Sequence, residues 1–239
     1  MTLTIMRYNV AKEIFNQFPG YTRGVVIARD VSNGDSPDEL LQMLRDSERS
    51  VRAELGGPNI AEHLNIAAWR EAYRCFGARP SAFRSSIEAM ARRVVRGDEL
   101  PSVNRLVDIG NVISLRHLVS AGCHAIDVAI GDFELRPAAG EEQFVPLGGS
   151  EPENPLPGEI VLVEGDVVLT RRWTWRQGTH TLTGHGSTAV ELNIDGLPPV
   201  TPDEIAEACG EAEELIVRFC GGRTKVQFLT KDNPSIVID

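Results

Sequence analysis

Apolar and polar positions along the chain change period near its middle. In "SPDELLQMLRDSERSVRAELGG" the apolar residues recur at helical spacing, Ser36 and Pro37 stand where an N-cap and first helical residue belong, Glu39 completes a capping box, and Gly56-Gly57 stops the pattern. "IAEHLNIAAWREAYRCFG" spaces Ile60, Leu64, Ala68 and Ala72 in the same way up to Gly77, and "SSIEAMARRVVRG" repeats the pattern with arginines on its outer side. Before them, the β-branched run "YTRGVVIARDV" leads into the turn signal "SNGD" and reads as a strand. From His124 onward come short runs, "HAIDVAI", "FELRPA", "GEIVLVEGDVVLTRRWTW" and "AVELNID", separated by Gly, Pro and acidic turns such as "GGSEPENPLPGE". A last helix, "TPDEIAEACGEAEELIVRFCGG", carries a Thr201–Glu204 capping box and a Gly221-Gly222 stop, with short strands near "VQFL" and "SIVID" after it. Helices gathered in one part and antiparallel-looking strands in another predict an α+β fold, with N-terminal helices packed on a mainly antiparallel sheet.

At 239 residues, 42% of them apolar and 24% charged, the chain has the composition of a globular protein, and length alone allows one large domain or two small ones. No apolar run reaches the roughly 18–20 residues that a membrane crossing needs, and "MTLTIMRYNV" lacks the pattern of a signal peptide. A cytoplasmic protein without membrane contact is the expectation. The four cysteines form no CxxC pair, so reduced thiols are expected and a structural zinc is not. Activity should therefore survive exhaustive chelation; loss on EDTA treatment, restored by zinc, would reveal a metal site.

The formal charge of −10 argues against a protein that coats nucleic acid with its whole surface. Its distribution changes the picture, because residues 70–116 hold nine arginines against five acids. Beside this basic segment lies "VNRLVDIGNVISLRHLVSAGCHAID", where Asn104, Arg105, Asp108 and Asn111 sit among small apolar residues. Spacings of four and three put Asn104, Asp108 and Asn111 on one helical face, where they serve as caps, as a buried network, or as a site. His124 falls at the junction between helix and strand, where an imidazole can reach a cleft and donate to an ester carbonyl or hold a water. Cys123 beside it would point to the opposite side of an extended segment, which prevents a thiol–imidazole pair. In "LTRRWTWRQGTHTLTGHG" strand alternation would turn Trp173, Trp175 and Gln177 one way and Arg172, Thr174 and Arg176 the other, a pattern that suits unpaired nucleotides or, equally, a core face and a basic solvent face.

The phrases "WREAYRCFGARPSAFRSSIEAMARR", "LPSVNRLVDIGNVISLRHL", "FVPLGGSEPENPLPGEIV" and "RRWTWRQ" together resemble the editing domain of the phenylalanyl-tRNA synthetase β subunit, and more closely its free-standing relatives. The family pattern N-x-V-V-D-x-T-N is matched by Asn104 to Asn111, and P-M-H-A-F-D by "GCHAID". This resemblance implies a single editing-like domain over residues 1–239, with a helical part to about 120, a sheet-rich part over about 121–200 and a closing helix and strands. It implies a trans-editing hydrolase that cleaves the ester between a wrong amino acid and the terminal ribose of tRNA by water attack; the alternative is a non-catalytic module that binds tRNA, an amino acid or a partner. The implied catalytic residues are His124, Asn104 and Asp108. Asn111, Arg105, Ser85, Ser86, Trp175, Arg176 and Gln177 would bind the substrate, and Arg79, Arg84, Arg92, Arg93 and Arg172 the tRNA. The implied partners are the aminoacyl acceptor end of tRNA and, by association, a synthetase, with no cofactor. Where the synthetase has a Gly-Gly-Glu stretch this chain has "WRQG", so substrate identity does not carry over.

Overall fold

Two eight-residue buried strands, β2 (Thr22–Arg29) and β8 (Ala189–Gly196), pair antiparallel along their whole length, from Thr22 opposite Gly196 to Arg29 opposite Ala189. The computed structural model describes residues 5–57, 59–149 and 151–238; Ser150 of the acidic turn falls outside them. Strand β3 (Ser120–Ala125) extends this sheet beside β8, and β9 (Arg223–Leu229) beside β2, giving the order β3-β8-β2-β9 with every pair antiparallel. A second sheet runs β10-β1-β4-β5-β6-β7, formed by β1 (Arg7–Val10), β4 (Phe133–Pro137), β5 (Ile160–Glu164), β6 (Val167–Arg171), β7 (Arg176–Gln177) and β10 (Ser235–Val237). Only its β1–β4 pair is parallel.

Helices cover one face of the four-stranded sheet. The long α6 (Pro202–Cys220), with both bonds of the Thr201–Glu204 capping box made, lies so close over β2 that a Cβ at Gly24 would stand 2.2 Å from Cys209 Sγ. Glycine there is what allows helix and sheet to touch. Helix α5 (Arg105–His117) packs between α6 and β3, and α2 (Asp38–Leu55) and α4 (Ser86–Val95) pack outside it. The chain is thus α+β, with helices, a four-stranded sheet and a six-stranded sheet in layers, and no helix among the described residues is long and apolar enough to cross a membrane.

Several local expectations change. Ser36 does not cap α2: Pro37 holds the N-cap position, and the Ser36 hydroxyl donates instead to Asp108 at 2.7 Å. The helix expected from Ile60 begins as a 3-10 turn over Ile60–Glu62, followed by α3 (Leu64–Cys75). β1 and α1 (Lys12–Gln17) carry little apolar periodicity and were not expected. The helical and sheet-rich stretches also interleave, since β2 from the first part is the partner of β8 from the second. Finally, "RRWTW" is no strand: β6 ends at Arg171, and the chain turns through Arg172 and Trp173 at φ of 46° and 63°. The turn sends Trp173 inward against Phe18, Tyr21 and Trp69, with ring centroids 4.9, 4.8 and 5.1 Å away.

Candidate functional site

Strand alternation puts Ser120, Gly122 and His124 of β3 on one face, in register with Asp195, Asn193 and Glu191 of β8, and Arg23 of β2 lies opposite Asp195. In a two-layer protein such a polar row would face water. Here it faces the six-stranded sheet and is buried. Arg23 grips Asp195 through two bonds, Nε to Oδ1 at 2.7 Å and Nη2 to Oδ2 at 2.9 Å, with both side chains almost wholly enclosed. Tyr21 adds its hydroxyl to Asp195 Oδ1 at 2.5 Å, and Tyr8 accepts from Arg23 Nη1. Burial raises both phenols well above the usual tyrosine range, so they stay neutral.

Between this row and the second sheet lies a cavity of about 140 Å³. Its inner walls are Ser120, Gly122 and His124, Asn193 and Asp195, and Thr170 and Leu162 across from them. Ser86, Trp175, Arg176 and Gln177 line it from the α4 and β7 side. Gln177 stands against His124. Its amide nitrogen faces the carbonyls of Cys123 (3.0 Å) and Thr181 (3.3 Å) and stands 3.2 Å from His124 Nδ1, three acceptors for two hydrogens, and we assign Nδ1 as an acceptor beside this donor group. The Thr181 hydroxyl is also on Nδ1 at 2.7 Å. The ring proton then sits on Nε2 and is donated to Thr170 Oγ1 at 3.1 Å. Thr170, with its oxygen accepting, has its own O–H free to donate toward the cavity.

Burial, reinforced by the Arg23 charge, lowers His124 from an ordinary 6.5 to about 3, so the ring is neutral at physiological pH. Opposite it, Glu191 is fully buried with neither carboxyl oxygen hydrogen-bonded among the described residues. Burial, partly offset by Arg23, lifts it from 4.5 to about 8. Cys123, the neighbour of His124, does not line the cavity, and burial pushes its thiol well above the usual range, so it is no nucleophile.

These two shifts predict an unusual stability profile. Between pH 4.5 and about 8 the folded chain keeps a proton on Glu191 that the unfolded chain releases, so stability falls as pH rises. Between pH 6.5 and about 3 the unfolded chain takes up a proton that His124 refuses, so stability falls as pH drops. The two oppose each other from 4.5 to 6.5, giving a plateau with losses on both sides. Urea midpoints from pH 4 to 8.5 should trace it, and Glu191→Gln should remove the alkaline fall; an unchanged alkaline limb would assign the loss to another group.

Of the residues expected at the site, His124, Ser86, Trp175, Arg176 and Gln177 line the cavity, and the α5 trio does not. Asn104 is the α5 N-cap, accepting from the Val107 amide at 3.1 Å and donating to Thr183 O at 3.0 Å. Asp108 is wholly buried, taking bonds from Ser36 (2.7 Å), Ser102 (2.5 Å) and the Val103 amide (3.1 Å), which ties two loops to the helix. Arg105 holds the carbonyls of Asp35, Ser32 and Phe219, Asn111 is half-buried on α5, and Ser85 caps α4. Asn104, Asp108, Arg105 and Ser85 thus hold caps and loops in place. Sequence reasoning did not single out Arg23, Ser120, Thr170, Asn193 and Asp195, which also line the cavity; the period-two polar positions of "ELNID" were the available signal.

The arginines divide similarly. Arg172 is buried, its guanidinium 3.7 Å from the Phe83 ring centre and 4.5 Å from that of Trp175, with Glu159 at 3.3 Å, so it does not belong to an outer binding face. Arg92 pairs with buried Glu88 at 2.8 Å. Arg84, Arg93 and Arg96 are exposed and line, with Arg92, a shallow groove of about 510 Å³; Arg79 lines a neighbouring hollow with Arg70 and Arg74. Helix α4 joins groove and cavity, because its first residue, Ser86, lines the cavity. Among the described residues no group of three or more His, Cys, Asp or Glu is placed to hold a metal ion.

No curated protein matches the chain. A crystal structure of an N-terminal fragment of the phenylalanyl-tRNA synthetase β subunit from Pyrococcus horikoshii is similar in fold, at 12% identity and a TM-score of 0.46, over 92% of this chain and 49% of that one. The chain therefore spans about half the length of that fragment. The family model of the B3/4 domain matches residues 68–221, a stretch that runs from within α3 through the whole of α6 and includes β3, β6, β7 and β8 around the cavity, and the chain belongs to the B3/4 domain family, found in the phenylalanyl-tRNA synthetase β subunit.

Proposed function

We propose that the chain is a single-domain, trans-acting hydrolase that deacylates mischarged aminoacyl-tRNA. The observation that carries this reading is the His124–Thr170 bond at the wall of a cavity that shares helix α4 with an arginine-lined groove. In this mechanism water attacks the ester carbon, the ester C–O bond breaks, and the proton from water ends on the departing ribose oxygen. The developing oxyanion needs a fixed donor, and the Thr170 hydroxyl, aligned by His124 Nε2–H, supplies one without a metal or covalent intermediate. His124 acts through Thr170 and is a positioning residue rather than a base, since a group near 3 is too weakly basic at neutral pH. The partner is the acceptor end of tRNA, which places the reaction in the cytoplasm and makes a synthetase a natural neighbour.

The same neutrality of His124 favours a second reading, a module that binds an aminoacyl end or an amino acid without cleaving it. Deacylation rates over a panel of mischarged tRNAs separate the two: hydrolysis of at least one above the uncatalysed rate supports the hydrolase, and binding without hydrolysis supports the module.

For the tRNA path, charge reversal belongs on Arg93 and Arg96, which are exposed, because a glutamate at Arg92 would sit against buried Glu88 and disturb the fold. Each lost phosphate contact lowers the slope of log affinity against log salt by about 0.7–0.9. Arg93→Glu with Arg96→Glu should therefore flatten the slope by up to about 1.8. An unchanged slope in filter binding would put the tRNA on another face.

A further inference from the structure

We propose that the cavity selects a side chain bearing an uncharged hydrogen-bond donor, a hydroxyl or a carboxamide, and that Asn193 is the residue that reads it. The assignment rests on the deacylase reading for the ligand being an aminoacyl group. Asn193 is 6% exposed and lines the cavity from β8. Its Nδ2 donates to Asp195 Oδ2 at 3.0 Å. A carboxylate ion-paired with Arg23 only accepts, so the amide cannot be turned around and Oδ1 must point away from Asp195. That oxygen is buried and has no hydrogen-bond partner among the described residues.

The backbone opposite keeps it open. Gly122 is in register with Asn193, and a Cβ there would stand 3.2 Å from Oδ1, crowding the acceptor. Ser120 Oγ, 1% exposed, and Ser86 Oγ are likewise without partners among the described residues, and both residues line the same cavity. A fixed acceptor and two adaptable hydroxyls thus converge, with Leu162 and Trp173 as the apolar walls. Leaving a buried acceptor unpaired costs about 1–3 kcal/mol. An apolar ligand of the same shape would impose that cost, and a donor would remove it. Arg23 and Asp195 already neutralise each other, so the inner wall around Asn193 offers a charged side chain no free counter-charge; Arg176, the remaining charged residue of the lining, is exposed. The volume of about 140 Å³ suits a side chain up to benzene size, on the scale of the roughly 150 Å³ apolar cavity that admits benzene.

The test uses non-hydrolysable 3′-amide-linked aminoacyl-adenosine analogues in two near-isosteric pairs, threonyl against valyl and glutaminyl against methionyl, titrated calorimetrically into the full chain. In at least one pair the donor-bearing member should bind about tenfold or more tightly. Asn193→Leu should bring that ratio to within about threefold. Gly122→Ala, which leaves Asn193 in place and crowds Oδ1, should do the same if the leucine variant does not fold. Equal affinities in both pairs, a preference that survives both substitutions, or no binding at millimolar concentration would each overturn the assignment. Donor preference without hydrolysis of the matching aminoacyl-tRNA upholds Asn193 as the reader and removes the hydrolase; hydrolysis without donor preference does the opposite.

Discussion

Replacing His124 by alanine is expected to lower deacylation turnover by about two to three powers of ten, the loss that follows removal of one oriented donor from an oxyanion site. The loss arises indirectly. Without the Nε2–H bond at 3.1 Å, Thr170 Oγ1 no longer has its acceptor side occupied, and its hydrogen is free to turn away from the substrate. Thr170→Val, which removes the hydroxyl and keeps the shape, should therefore cost about as much, and the double variant hardly more than either single one. Cys123→Ala should cost little, because its thiol is outside the cavity and held protonated by burial. Single-turnover rates on one mischarged tRNA, with circular dichroism to confirm folding, check all four. Near wild-type turnover in His124→Ala would remove the relay and leave the binding module as the better reading.

The second large effect is on stability. Asp195→Asn keeps the size of the side chain but leaves Arg23 charged at 1% exposure, with only neutral groups around its fork. Breaking a buried pair from one side costs about 3–5 kcal/mol. For a chain of this length that is a drop in Tm of about 6–20 °C, from about 2–4 °C for each kcal/mol. Because the orphaned charge is the cause, removing both charges with Arg23→Met and Asp195→Leu should recover most of the loss. A loss below about 1 kcal/mol in urea titration would mean that water reaches the pair and screens it.

How far the chain could be read in advance depends on where each signal lives. α4, α5 and α6 carry local signals, since Ser85, Asn104 and Thr201 each bond to the backbone three residues on, whereas α2 was legible from its apolar spacing and Gly56 stop and not from the Ser36 cap, which is not made. The turn at Arg172–Trp173 was not, because non-glycine residues at positive φ carry no turn signature and are held there by tertiary packing, here of Trp173 between Phe18, Tyr21 and Trp69. His124, Trp175 and Gln177, singled out from the sequence, line one cavity in the folded chain, with Gln177 Nε2 3.2 Å from His124 Nδ1. Asn104, Asp108 and Asn111 lie outside the cavity, and Asn104 and Asp108 fasten loops; a polar helix face looks alike in sequence whether it lines a cleft or ties loops down. Arg23, Asn193 and Asp195 were hidden for the converse reason: alternation marks one face of a strand as different from the other, and only the arrangement of the two sheets decides that this polar face is inside.

Residues 7 and 237 face each other across the antiparallel β1–β10 pair, so two distant stretches of sequence leave the six-stranded sheet at one corner. Cα atoms in such a pair are about 4.5–5.5 Å apart, a gap that a short linker spans. The fold can therefore be spliced into a surface loop of another protein without prising its layers apart, or circularly permuted by joining that corner and opening the chain at exposed Gly148. Such a permutant cuts the connection from β3 to β8 and keeps the one from β2 to β3, so the cavity would be held by the β3–β8 and β8–β2 hydrogen-bond ladders rather than by the order of the chain.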